Sequence, residues 1–424
     1  MPGKAVTVRP GPLHGSVALP GDKSISHRAL IAAAHIAESV RIEHLNSGRD
    51  VQATREALTA MGAHAAAAAD AVVMTGGRLV KPAATLDCMN SGSTVRMLLG
   101  ACAGANVPAR FDGDASLRHR PMEPVAAQLR AFGARIATTD GRLPLELLGT
   151  PEIQTRHFIL LAPSAQVKSA LLFAGLFGRV PVRVDGDRGS RDHTERLLRY
   201  LGADIEWSAE SVSLRTAPLE SRPIAIAGDF SAAAFFITAA AIVPGSAIVI
   251  RQAGVNPTRT GLLDALRAMG AGIELQNERT ACGEPLADIR VEWRPLQPAS
   301  VEPSLALRAI DEIPLLAVAA AFAPGTTTIR GVADLRTKES DRLAAIERLL
   351  SAVGIHTRYE RGVLSIDGGV PRPSPGDFDP LDDHRIAMTA AVLACAAGPL
   401  SIASDASLDV SFPGFLPILE ACRA

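Results

Sequence analysis

The sequence predicts an α/β fold in two domains, each built from three copies of a repeat that combines short strands with one buried and one amphipathic helix. Three observations carry that prediction. At 424 residues the chain exceeds one ordinary core, so two domains of about 200 residues are expected. Six alanine-rich apolar runs recur, each headed by a small polar cluster. Hydrophobic-Gly pairs that end amphipathic segments recur in step with those runs.

The six heads are Lys23-Ser24-Ile25-Ser26-His27-Arg28, Asn90–Arg96, Ser164–Lys168, Asp229-Phe230-Ser231, Asp311-Glu312-Ile313-Pro314 and Asp383-His384-Arg385. The runs behind them, such as Ala232–Ile242 and Leu315–Phe322, carry almost no charge, and a helix that is apolar all round is a buried helix. The pairs Met61-Gly62, Phe132-Gly133, Leu201-Gly202, Met269-Gly270 and Val353-Gly354 read as left-handed C-caps, spaced 71, 69, 68 and 84 residues apart. A period near 70 residues marks a repeat architecture, with Pro413–Arg423 in the place of a sixth amphipathic helix. Candidate strands are Ala5–Val8, Val40–Glu43, Phe158–Leu161, Val182–Val184, Ala247–Arg251, Thr326–Ile329 and Val363–Ile366, and Ala65–Ala69 reads as a turn or strand edge. Helices surrounded by strands would explain why one helix per repeat is so apolar.

Composition narrows the function. A formal net charge of −1 gives no whole-molecule field for nucleic acid or membrane, so an anion site must come from local Lys and Arg. Five scattered cysteines fit neither a disulfide framework nor a metal site, and no signal-like apolar stretch opens the chain, which together point to a cytoplasmic protein. No metal or cofactor is expected.

The heads carry the chemistry. Helix N-termini present unpaired N–H groups and attract anions, so six convergent ends would form an anion site. In the first head Asp22 or Ser24 can cap, while Lys23, Ser24 and Arg28 supply a point charge, a hydroxyl and a bidentate fork. Gly92 lets a ligand approach a helix start, and Arg118, His119 and Arg120 precede a proline-started helix. In the fifth repeat Asp311 and Glu312, followed by Lys338-Glu339-Ser340-Asp341-Arg342, interleave carboxylates with cations as acid–base work on an anionic substrate requires. On a helix, Lys338 and Arg342 would form an unfavourable i,i+4 pair. His384 reads as a structural hydrogen-bonder, and Asp229–Ser231 has no evident chemical part.

These blocks, with Ser116–Met122 and Ser190–Glu195, resemble the 5-enolpyruvylshikimate-3-phosphate synthase family, in order and over essentially the whole length. The resemblance implies two inside-out α/β barrel-like domains, each of three βαβαββ units: the enolpyruvyl transferase fold. It implies a discontinuous domain of residues 1–20 and 228–424, a second domain of 21–227, and an active site in the cleft between them. The implied reaction moves the enolpyruvyl group of phosphoenolpyruvate to the 5-hydroxyl of shikimate 3-phosphate and releases phosphate, a shikimate-pathway step in aromatic amino-acid biosynthesis. Shikimate 3-phosphate would meet Lys23, Ser24, Arg28, Ser164, Ala165, Gln166, Arg191, Asp311 and Lys338. Phosphoenolpyruvate would meet Lys23, Gly92, Arg120, Gln166, Arg342 and Arg385. Asp311 would be the base, Glu339 the acid, and Lys23 a catalytic cation. Gly92 leaves open the space that Ala fills in inhibitor-tolerant members, which implies sensitivity to glyphosate. Val410-Ser411-Phe412-Pro413 lacks a Lys that some members use against phosphoenolpyruvate. The sister enzyme that uses UDP-N-acetylglucosamine expects a reactive Cys in the loop that is Arg110–Arg120 here, and none is present. Only small-molecule partners are implied, and a monomer is expected.

Overall fold

The computed structural model describes residues 5–216, 218–373, 377–381, 383–403 and 412–423. Asp382, beside the sixth head, and Val410-Ser411 lie outside them. The chain divides into two units, one of Met1–Pro20, Gly228–Arg279 and Pro285–Ala424, the other of Gly21–Ala227 with Thr280–Glu284.

One repeat of the second unit shows the local logic. Strand Leu86–Asp87 leads into helix Gly92–Gly104, strand Ala109–Asp112, helix Glu123–Phe132 and the hairpin of Arg135–Thr139 and Arg142–Gly149. Leu86–Asp87 pairs parallel to Ala109–Asp112, whose other neighbour is the antiparallel Arg142–Gly149. Along the hairpin strand Arg142–Gly149 buried residues alternate with exposed and half-buried ones, the alternation of a sheet with one face inward. Parallel strands need a crossover and antiparallel ones a tight turn, so each repeat uses its apolar helix as the crossover. The strand order recurs in four further four-stranded sheets, and the sixth sheet among the described residues has three strands. The first repeat borrows its parallel strand, Ile224–Ala225, from the end of the same unit, pairing it with Ser39–Glu43.

The apolar runs form buried helices. All thirteen residues of Phe230–Ile242 are buried, as are all nine of Ile313–Ala321. Small residues then set how close the helices lie. A Cβ at Gly100 would sit 2.1 Å from the Ala170 carbonyl oxygen, and one at Gly104 2.1 Å from that of Ala174. Helices Gly92–Gly104 and Ala165–Gly178 are thus in backbone contact, and a side chain at Gly100 or Gly104 would force them apart. Gly62, Gly133, Gly202, Gly270 and Gly354 all take positive φ, and at Gly133 the N–H bonds back to Arg130 and Leu129 as a left-handed cap does. Phe415–Ala421 is helical in the place of the sixth amphipathic helix. Strand ends shift by one to three residues from expectation, as in His157–Ile159, and His64–Ala68 is a full strand. No helix among the described residues is long and apolar enough to cross a membrane.

One expectation is corrected. Lys338 is not on the helix with Arg342: it ends the 3-10 turn Ala333–Thr337, and the helix Arg342–Ser351 starts four residues later, capped by Asp341. The two cations are therefore no i,i+4 pair. Arg118, His119 and Arg120 do precede a proline-started helix, Glu123–Phe132; the first two lie on a short helix of their own, Ala115–His119, with Arg120 as its C-cap.

The first buried helix also carries a pH liability. His27 has no exposed surface and its Nδ1 meets Thr54 Oγ1 at 2.7 Å. Burial pushes its pKa down to about 3 from 6.5. A histidine with a depressed folded pKa contributes stability that is complete above the unfolded value and is lost as pH falls from about 6.5 toward 3. His35, lowered to about 4 by burial, adds to the same limb. Urea unfolding of the whole chain should lose about 2 kcal/mol from His27 between pH 6.5 and 4.5. In His27→Gln the slope over that window should drop by this share, and an unchanged slope would remove His27 as its source.

Candidate active site

Three helix starts in the second unit carry the predicted binding residues. Asp22 caps helix Lys23–His35 through Ile25 N, Ser91 caps Gly92–Gly104 through Thr94 N, and Ser164 caps Ala165–Gly178 through Val167 N. Cross-links hold these starts together. His27 bonds Thr54, whose hydroxyl lies 2.7 Å from that of Thr94, which in turn meets Ser91 at 2.7 Å. Lys23 Nζ donates to Asp50 at 2.9 Å.

Arg28 is almost fully buried, and its three nitrogens are each committed. Nε donates to Thr194 Oγ1, Nη1 to the Ser24 carbonyl and Nη2 to Ser169 Oγ. Burial lowers its pKa to about 10, Glu195 opposes that shift, and the nearby Arg191 adds to it, so Arg28 and Arg191 form a cationic pair. Ser24 and Ala165 contribute backbone carbonyls to this frame, the second accepting from Ser169 Oγ at 2.6 Å. Gln166 is gripped from both sides: Arg96 Nη1 donates to its Oε1 at 2.7 Å, and its Nε2 donates to Ser93 Oγ at 2.9 Å. A Cβ on Gly92 would stand 2.6 Å from Arg96 Nη1 and 3.1 Å from Arg120 Cζ, which places Gly92 between two guanidinium groups.

Beneath this surface lies a buried network that sequence reasoning missed. Lys168 Nζ meets Asp187 and Glu195, each at 2.6 Å. Burial pulls the Lys168 pKa down, but Glu195 and Asp187 more than offset it and leave it above the ordinary value. Glu195 follows Thr194, the partner of Arg28, so the ion pair braces the segment that holds the Arg28 guanidinium.

The first unit gathers the acid–base candidates. Asp311 has Lys338 Nζ and Arg342 Nη1 each at 3.8 Å from Oδ1, and Arg385 Nη2 at 3.9 Å from Oδ2. Glu339 accepts from Arg342 Nη2 at 2.8 Å. Arg342 is 1% exposed, and its Nε donates to Asp383 at 2.8 Å, with Ser340 adding a hydroxyl to the same oxygen at 2.9 Å. Burial works against ionised Asp383, but Arg342 and His384 hold its pKa below the usual range, while the same carboxylates hold Arg342 firmly charged. Asp383 also caps the helix His384–Ala397 through the N–H groups of Arg385 and Ile386. The fourth head belongs here as well: Ser231 Oγ meets Glu312, Arg259 and Arg385. Lys23, Ser24, Arg28, Gly92, Arg120, Ser164, Ala165, Gln166 and Arg191 thus lie in the second unit, and Asp311, Lys338, Glu339, Arg342 and Arg385 in the first.

The profile of the family described as EPSP synthase (3-phosphoshikimate 1-carboxyvinyltransferase) matches residues 8–419. The chain belongs to the EPSP synthase family. It is 42% identical over 424 residues to a 3-phosphoshikimate 1-carboxyvinyltransferase of Thermus thermophilus, covering 98% of both chains. Against the enzyme of the same name from Gloeobacter violaceus it is 43% identical over 433 residues, covering 99% of each. The solved EPSP synthase of Acinetobacter baumannii superposes with a TM-score of 0.87 at 34% identity, covering 99% of this chain and 98% of that one. The enolpyruvyl transferase NikO of Streptomyces tendae shares the fold, at a TM-score of 0.78 and 22% identity over 99% of this chain and 98% of that one. The fold is the enolpyruvyl transferase fold.

Proposed function

We propose that this chain transfers the enolpyruvyl group of phosphoenolpyruvate to the 5-hydroxyl of shikimate 3-phosphate, in the cytoplasm and as a monomer, with both residue groups acting on one pair of substrates. The observation that carries the reading is Asp311 ringed by Lys338, Arg342 and Arg385 with Glu339 on the same guanidinium. A carboxylate among cations stays ionised and can accept a proton. A second carboxyl beside it can deliver one.

The residues divide the work as follows. Lys23, Ser24, Arg28, Ser164, Ala165, Gln166, Arg191, Asp311 and Lys338 hold shikimate 3-phosphate. Lys23, Gly92, Arg120, Gln166, Arg342 and Arg385 hold phosphoenolpyruvate. Glu339 gives a proton to the methylene carbon and positive charge develops at C2. The 5-hydroxyl oxygen bonds to C2 as its proton passes to Asp311, giving a tetrahedral phospho-ketal. The C2–O bond to phosphate then breaks, and the new methyl group returns a proton to the Glu339 carboxylate. The departing phosphate carries off the proton held by Asp311, and the enol ether forms. Lys23 and the guanidinium groups offset the charge on the departing phosphate, fixed in place before the reaction begins. A hydrogen bond from Arg342 favours ionised Glu339, and a substrate anion that takes over that N–H leaves the carboxyl able to carry a proton.

Phosphate release from shikimate 3-phosphate plus phosphoenolpyruvate tests the reading directly. Turnover is expected with that acceptor and none with UDP-N-acetylglucosamine. The reverse preference, or no turnover with either, would overturn it.

A further inference from the structure

We infer that Ser231, Arg259 and Glu312 form a positioning group that aims Arg385 at the donor and keeps it off the base Asp311; this rests on the functional reading above. Ser231 is the second residue of helix Phe230–Ile242, fixed by Asp229, whose carboxylate accepts from Ser231 N at 2.7 Å. Its hydroxyl donates to Glu312 Oε1 at 2.5 Å. It accepts from Arg259 Nη2 at 2.5 Å and from Arg385 Nη2 at 3.2 Å. A serine hydroxyl has one hydrogen and two lone pairs, so all of its capacity is used, and it can adopt only this orientation.

Glu312 is the second part of the device. It stands at the N-cap of helix Ile313–Ala321 yet makes no side-chain capping bond, because its carboxylate turns toward Ser231 instead. It has no exposed surface, and it lies 3.7 Å from Arg259 and 3.6 Å from Arg385. Buried charge clusters of this kind often add little to stability over apolar replacements of similar volume, because desolvation offsets their attraction. What the cluster does specify is direction. Arg385 is held by Ser231 Oγ, by the Asp311 carbonyl at 3.4 Å and by Glu312, while its Nη2 stands 3.9 Å from the Asp311 carboxylate. Without Ser231 that gap can close to a direct ion pair, which would consume a donor-binding cation and the base together.

Ser231→Ala should therefore raise the KM for phosphoenolpyruvate about tenfold, the equivalent of one charge-assisted hydrogen bond, with the KM for shikimate 3-phosphate nearly unchanged. Ser231→Thr keeps the hydroxyl and should restore the wild-type constants. Glu312→Gln keeps an acceptor for Ser231 but removes the charge, and should shift the same constant in the same direction. The urea midpoint of each variant separates a misfolded protein from a misaimed arginine. If Ser231→Ala and Glu312→Gln both fold and match wild type, or weaken both substrates equally, the inference is wrong. Failure of threonine to rescue would also overturn it. A wild-type chain inactive on these two substrates would instead contradict the functional reading.

Discussion

Glu339→Gln is expected to lower kcat by about 10²–10⁴-fold while leaving the KM of either substrate nearly unchanged. Glutamine matches glutamate in size and can still accept the N–H that Arg342 Nη2 gives at 2.8 Å, so the guanidinium should stay where it is. Only the capacity to deliver a proton is lost. A residue whose part is confined to the transition state lowers kcat and kcat/KM together, which distinguishes it from one that merely binds. The direct check is uptake of solvent deuterium into the methylene group of phosphoenolpyruvate during turnover. That uptake should fall with kcat. A variant that exchanges and turns over at the wild-type rate would move the acid to another residue.

Asp311 and Glu312 show how far the sequence alone could take the site. They are adjacent, chemically alike and at the head of the same apolar run. The structure gives them opposite situations: Asp311 faces Lys338, Arg342 and Arg385, whereas Glu312 is wholly buried against Ser231 and Arg259. No local pattern separates them, because the side chains that decide the matter come from residues 27 to 81 positions away. Ser231 was invisible for the same reason, although its place at a polar head was readable. The polar heads themselves were legible because capping is local: Asp22, Ser91, Ser164, Asp229 and Asp383 each bond a backbone N–H two or three residues on.

The repeat was equally legible. Gly133 must cap in the left-handed region whatever lies around it, and a buried helix must be apolar all round, so both signals survive without tertiary knowledge. Lys338 shows where local reasoning failed. Helical spacing was read through a segment that is a 3-10 turn followed by a break, and the break frees Lys338 Nζ to reach Asp311 at 3.8 Å. A pairing that looked costly on a helix is a favourable one in the fold.

Arg342→Met is expected to destabilise the chain by about 3–5 kcal/mol, because it leaves the carboxylate of Asp383 buried without its counter-ion. Adding Asp383→Asn should return about half of that loss: asparagine still caps the helix through the N–H groups of Arg385 and Ile386, and no charge is orphaned. Activity should stay lost in both proteins, since Glu339 and Asp311 each lose the guanidinium beside them. The sign of the pH dependence checks the cause. In wild type Arg342 holds the Asp383 pKa below its ordinary value, so the pair contributes stability above about pH 4 that is lost as pH falls through the folded value. Without Arg342 burial favours the neutral acid, and only His384 and the hydrogen bonds from Ser340 and the helix N–H groups oppose it. The deficit of Arg342→Met relative to wild type should therefore shrink as the solution is acidified, while the double variant shows no such recovery. Urea unfolding of the three proteins between pH 7 and 4 measures both effects, and a deficit that stays constant over that range would mean the guanidinium contributes packing rather than charge.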